Sequence, residues 1–226
     1  MNPKLHSNAS NRTLADAAYE FIKADILRGA IAEGTFLQEI QVREKYDLGR
    51  TPFREGCNRL HHEGLLEIVP RRGYFVPEIS FRDVLNLFEV RLTLEGAAAE
   101  LAATRATEAQ IGEGNKLIEE ALPPSTSSRH MEAFVELNTK FHLLIASMTQ
   151  NREFFRLLEA SMDRNRRISY LEFAGKNLER FDLHLLHKPV LDAIRKRDPQ
   201  AAKLAVIKDI QWGQELLFGR SKDWVG

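Results

Sequence analysis

The chain has 226 residues, 43% hydrophobic and 28% charged, the mixture of a soluble globular protein of one large or two small domains. Its 32 basic and 32 acidic residues cancel, so overall charge announces no nucleic-acid partner and any DNA contact must come from a local cluster. The sequence has no apolar run long enough to span a membrane, no apolar core near its N-terminus and a single cysteine, Cys57. These features argue against a membrane span, a secretory signal and an internal disulfide, and lead us to expect a cytoplasmic protein.

Residues 1–12 are polar and expected to be disordered. A first helix is expected from Thr13, which can cap it with Asp16 three residues on, to Arg28, where Gly29 stops it. Its core positions read as Leu14, Ala17, Phe21 and Leu27. After a turn at Ala32–Thr35, a short helix covers Gln38–Tyr46. A third begins with Thr51 as cap and Pro52 at its first position, and ends at Gly64. The period then changes. Leu65–Val69 and Gly73–Val76 are β-branched-rich runs joined by Pro70-Arg71-Arg72, which reads as a hairpin. Three short helices and a hairpin make a winged helix-turn-helix over residues 13–77.

From Ser80 onward the pattern is helical throughout, over residues 80–226. Ser80 with Asp83 forms a capping box for a helix to Thr104, and Thr107 opens another to Ala121. Pro123–Ser128 is a loop. Further helices are expected over Arg129–Thr149, Arg152–Phe173, Leu178–Arg197 and Pro199–Phe218. The fold class is therefore mainly α: a winged helix-turn-helix followed by an antiparallel all-helical bundle.

The third helix buries Phe53, Cys57 and Leu60, which leaves Arg54 and Asn58 on its outer face and Arg50 and Thr51 at the end that a recognition helix inserts into the major groove. Arginine can bind guanine through two bonds, and threonine can contact a phosphate or a thymine methyl. Arg71 and Arg72 sit at the hairpin tip, where a wing reaches phosphates or the minor groove. Between Phe36 and Val76 there are seven Lys/Arg and six Asp/Glu, and five of the seven bases (Arg50, Arg54, Arg59, Arg71, Arg72) belong to the third helix, its entry or the hairpin. Spacing alone leaves open a recognition surface or a merely solvated basic face.

The run Gly49-Arg50-Thr51-Pro52-Phe53-Arg54-Glu55, the step Glu63-Gly64-Leu65 and the run Arg72-Gly73-Tyr74-Phe75-Val76 resemble the signature of GntR-type regulators. The continuation Glu89-Val90-Arg91, Glu95-Gly96-Ala97-Ala98 is similar to the FadR-like subgroup with an FCD ligand-binding domain. The resemblance implies a cytoplasmic transcriptional repressor that works as a homodimer on double-stranded operator DNA, with Arg50, Thr51 and Arg54 at DNA-contacting positions and Gly73 at the wing tip. Two departures stand out. Gly49 replaces a serine. Gly56-Cys57 replaces Ala-Leu, which is expected to loosen the helix by about 1 kcal/mol.

In the second half, polar residues interrupt apolar stripes. Arg91 lies in the stripe Val84, Leu87, Leu94, Ala98, Leu101, so it faces inward. A buried guanidinium needs an anion. That anion is either an internal partner, Glu95 one turn on, or the carboxylate of a small organic-acid effector. Asn138 and His142 interrupt the stripe Val135, Ile145. His187 interrupts Leu183, Val190, Ile194, and Asp209 interrupts Ala202, Val206, Trp212, Leu216. His184 falls on a flanking face. Inward N and O donors on three helices suggest a polar network or a metal site. The FCD resemblance implies one divalent ion per chain, with Asn138, His142, His187 and Asp209 at the ligand positions. Asparagine there stands for the usual aspartate and aspartate for the last histidine. Zn²⁺ is the expected ion, with Ni²⁺ or another first-row ion as alternatives.

A helical metalloenzyme and a pure interaction module are the rival readings. No Glu-x-x-His, His-Glu-x-x-His or phosphate-loop motif is present, and a catalytic bundle has no use for a basic wing.

Overall fold

The computed structural model describes residues 13–120, 128–173 and 183–218. The expected disorder of residues 1–12, most of the expected Pro123–Ser128 loop and the start of the helix expected from Leu178 lie outside these residues. The chain divides into two compact units between Glu78 and Ile79.

In the first unit, α1 (Leu14–Leu27), α2 (Glu39–Tyr46) and α3 (Arg50–His62) precede a sheet of β1 (Thr35–Phe36), β2 (Glu67–Val69) and β3 (Gly73–Val76) in the order β1-β3-β2. This is a winged helix-turn-helix. The capping box of Thr13 and Asp16 starts α1, and Gly29 adopts a left-handed φ of 71° just beyond its C-cap. The wing is an antiparallel pair with Val69 opposite Gly73, and its turn requires positive φ at Arg71 (64°) and Gly73 (105°). No atom crowds Gly73, so its glycine is explained by backbone conformation alone.

Three expectations are corrected here. Leu14 (65% exposed) and Phe21 (37%) are not core residues and Ala17 is only half-buried; Leu27 is buried as expected, and α1 packs through it together with Ala18, Tyr19, Ile22 and Ile26. Phe21 is stacked on Tyr46 at 4.7 Å, a surface contact that holds α2. Thr51 is not the cap of α3. Gly49 is, without a side-chain bond, and Pro52 is the third residue of the helix and not its first, still within the first turn, where the missing N–H is harmless. Gly56 does not simply loosen α3. A Cβ there would lie 2.8 Å from the Tyr19 backbone nitrogen and 3.2 Å from the Ala18 Cβ, so glycine is the notch through which α1 and α3 approach.

The second unit holds six helices among the described residues: α4 (Phe81–Arg105), α5 (Glu108–Glu119), α6 (Ser128–Met148), α7 (Arg152–Phe173), α8 (Leu183–Arg195) and α9 (Pro199–Phe218). Capping boxes at Ser80/Asp83 and Thr107/Gln110 start α4 and α5. The main core joins Phe88, Ala99, Ala102 and Ala103 of α4 with Phe141 and Ile145 of α6, Val190 and Ile194 of α8, and Ala202, Val206 and Ile210 of α9.

The notch at Gly56 yields a stability prediction. Gly56→Ala gains about 1 kcal/mol of helix propensity, but overpacking against rigid backbone costs about 1–3 kcal/mol. The variant is expected to melt below the native protein by circular dichroism; a higher Tm would show that the helices separate freely.

Candidate functional site

The first unit presents one face of α3 to solvent. Phe53, Cys57 and Leu60 are fully buried, while Arg50, Thr51, Arg54 and Asn58 are exposed. Arg50 is loosely tethered, with its Nε 3.8 Å from Glu39. Arg59, counted from the sequence with the basic cluster, is turned to α1. Its guanidinium lies 2.7 Å from Asp16 and 3.9 Å from the centre of the Tyr19 ring, so it braces the fold. The wing arginines are both exposed, and Arg72 lies over the Phe36 ring at 4.1 Å. Tyr74 packs edge-on against Phe53 at 5.8 Å and its hydroxyl donates to Asn58 Oδ1 at 3.4 Å, which ties the wing to the recognition helix. Burial pushes the Cys57 thiol up to about 12, so it is an inert core residue.

The second unit gathers its polar residues into one buried cluster. Arg91 (4% exposed) and Glu95 (2%) come from α4, His142 (3%) from α6, His187 (2%) from α8 and Asp209 (6%) from α9. The Arg91 Nε donates to Glu95 Oε1 at 2.7 Å, and its Nη1 donates to Asn165 Oδ1 of α7 at 2.7 Å. Arg91 thus has an internal partner and also lines a cavity of about 40 Å³ together with Asn138, Asn165, Ser169 and Asp209, closed on its apolar side by residues such as Phe88 and Trp212. At about 10–15 Å³ per water this is space for only a few small-molecule atoms.

The four positions named from the sequence converge. His142 Nε2 lies 3.5 Å and His187 Nε2 3.6 Å from Asp209 Oδ2, and His187 Nε2 lies 3.2 Å from Asn138 Oδ1. His187 is held flat against Phe141, with ring centres 3.9 Å apart. Asp209 Oδ2 is buried without a hydrogen-bond partner. For metal–ligand bonds of about 2.1 Å, the edges of a tetrahedron of ligands measure roughly 3.4 Å. The donor set, its spacing and the orphaned carboxylate oxygen all fit a divalent ion. His184 is exposed, away from this cluster.

The electrostatics follow from burial. Desolvation would raise the Glu95 carboxyl, but the charges of Arg91 and His142 hold it down at about 2. Burial works against a charged His142, yet the Glu95 carboxylate beside it raises its pKa. His187 is pushed well below its ordinary value by burial and by the charge of His142, so it stays neutral, the form a metal ligand needs. Burial, with repulsion from Glu95, raises Asp209 against the pull of His142 and Arg91.

The sequence reading missed Asn165 and treated Glu95 only as a partner for Arg91. Asn165 was detectable by the same signal as the others, since it interrupts the buried stripe Leu158, Met162, Ile168 of α7.

Residues 14–76 match the model of bacterial regulatory proteins of the gntR family, and residues 86–211 match that of the FCD domain. The HTH-type transcriptional repressor RspR of Escherichia coli (strain K12) is 29% identical over 196 residues, covering 85% of this chain and 84% of that protein. The Nta operon transcriptional regulator of Aminobacter aminovorans is 29% identical over 171 residues, covering 75% and 79%. The solved structure of E. coli McbR/YncC shares the fold, with a TM-score of 0.78 at 20% identity, over 92% of this chain and 98% of that one. The chain belongs to the GntR family of bacterial regulatory proteins with an FCD domain, and is a DNA-binding transcriptional regulator rather than an enzyme.

Proposed function

We propose that this regulator is a homodimeric repressor whose operator affinity is set by a small organic acid, bound beside a divalent metal ion in the FCD domain. The observation that carries this reading is the meeting, at one small cavity, of a buried arginine with an orphaned Asp209 oxygen that lies at metal-site spacing from two imidazoles. Asn138, His142, His187 and Asp209 hold the ion, with Zn²⁺ as the first choice, and the ion supplies a positive centre for the acid. Arg91 supplies a second, directional one. A cavity with room for only a few atoms, polar at one side and apolar at the other, selects a short acid. Arg50, Thr51, Arg54 and Asn58 face the major groove and Arg71, Arg72 and Gly73 form the wing contact, which agrees with their common exposure on two rigidly joined elements.

Three measurements test this. Arg54→Ala is expected to weaken operator binding about 5- to 100-fold if the side chain reads a base, and to reduce the salt slope by about one if it meets a phosphate; unchanged affinity in a gel shift across salt concentrations would remove it from the interface. Elemental analysis of untagged protein should find one first-row ion per chain, lost in His142→Ala and His187→Ala; native protein free of metal after Zn²⁺ dialysis would sink the metal reading. Replacing Arg91 by alanine strands the Glu95 charge at a cost of about 3–5 kcal/mol, so the informative variant is Arg91→Lys. It should keep operator binding and lose the thermal shift that short organic acids give the native protein; a retained shift would remove Arg91 from the acid site.

A further inference from the structure

We propose that Glu95 is the positioning residue of this buried centre: it holds His142 by Nδ1 and thereby presents Nε2 to the site, while Arg91 holds Glu95 in place. This rests on the reading of the cluster as a metal centre. Glu95 lies on α4, a helix that supplies none of the four candidate ligands, and it is 2% exposed. Its two oxygens are divided between two partners. Oε1 accepts from Arg91 Nε at 2.7 Å, and Oε2 lies 2.5 Å from His142 Nδ1. The second contact is close without meeting hydrogen-bond alignment, so it is the proximity of the carboxylate to Nδ1 that holds the ring.

A carboxylate at one ring nitrogen draws the proton to that nitrogen and leaves the lone pair on the other. In His142 the other nitrogen is Nε2, which lies 3.5 Å from Asp209 Oδ2, inside the candidate ligand set. The two imidazoles are therefore oriented by different means. His187 is clamped by the face of Phe141, whereas His142 meets the Phe141 ring only edge-on at 6.0 Å. Of the two carboxylates that face His142 among the described residues, Asp209 belongs to the ligand set and Glu95 approaches from outside it. Arg91 completes the chain, since its bond to Asn165 of α7 fixes the guanidinium that in turn fixes Glu95.

The test compares Zn²⁺ affinity, by competition with a chromophoric chelator, and the visible spectrum of the Co²⁺-loaded protein in native, Glu95→Gln and Arg91→Met/Glu95→Met forms, each checked for folding by circular dichroism. Loss of an outer partner of a metal-bound histidine weakens metal binding about 10- to 100-fold, and that loss, with altered Co²⁺ bands, is expected for Glu95→Gln. The double variant leaves no arginine or glutamate charge unpaired, so it carries the same expectation should the single variant fail to fold. A folded variant with native Zn²⁺ affinity and native Co²⁺ bands, even with a lowered Tm, would overturn the proposal and reduce Glu95 to a structural partner of Arg91. Native protein that takes up neither ion would instead overturn the metal reading, and the proposal with it.

Discussion

The helical unit is organised by the need to pair charges that water does not reach. Arg91, Glu95, His142 and Asp209 are each no more than 6% exposed. A lone charge at such depth is too costly to keep, so each must find its counterpart from another turn or another helix. Arg91 and Glu95 meet within α4, His142 comes to them on α6, Asp209 on α9, and Asn165 of α7 takes the remaining direction of the guanidinium. The polar core adds a constraint to the close packing around it, because a displacement of an ångström or two leaves a charge unpaired. The same demand that fixes the helix register thus brings the candidate ligand atoms to one point.

The DNA-binding unit uses the opposite arrangement. The side chains proposed to meet DNA are exposed, and what is fixed is the surface that carries them. Phe53, Cys57 and Leu60 anchor α3 from below, Gly56 lets α1 close against it, and Arg59 is spent on the Tyr19 ring and Asp16. Tyr74 then joins the wing to the helix, and Phe36 supports Arg72. A rigid base spares the backbone any ordering when such arginines meet a phosphate or a base edge, and the planar guanidinium limits what each side chain loses per hydrogen bond formed.

Much of this was legible in the sequence because the signals are local. The boxes at Thr13/Asp16, Ser80/Asp83 and Thr107/Gln110 each need only four residues, and all three form. The interrupted stripes at Arg91, Asn138, His142, His187 and Asp209 follow from helical period alone, and the structure brings those five together. What was not legible depended on partners distant in sequence. The phase of α1 was misread because Leu14 and Phe21 are as apolar as Ile22 and Ile26, and only the position of α2 and α3 decides which stripe is covered. The two-residue strand β1 is too short to have a period. Gly56 looked like a weak point in a helix until the Tyr19 backbone was placed beside it. Glu95 looked like half of an ordinary i,i+4 pair, because its second oxygen answers to a residue on another helix.

The charge balance of the cluster connects its two proposed ligands. Arg91 and His142 face the carboxyl groups of Glu95 and Asp209, and the Glu95 carboxylate raises the pKa of His142 against its burial. With His142 neutral, a divalent ion held by these residues would leave the cluster with one positive charge in excess, next to a cavity that Arg91 and Asp209 line. A single carboxylate would neutralise that excess, whereas a neutral sugar or a cation would not. On this reading the metal ion is what makes the pocket selective for acids, and Arg91, already held by Glu95 and Asn165, adds direction at little further cost in ordering because its geometry is set before the acid arrives.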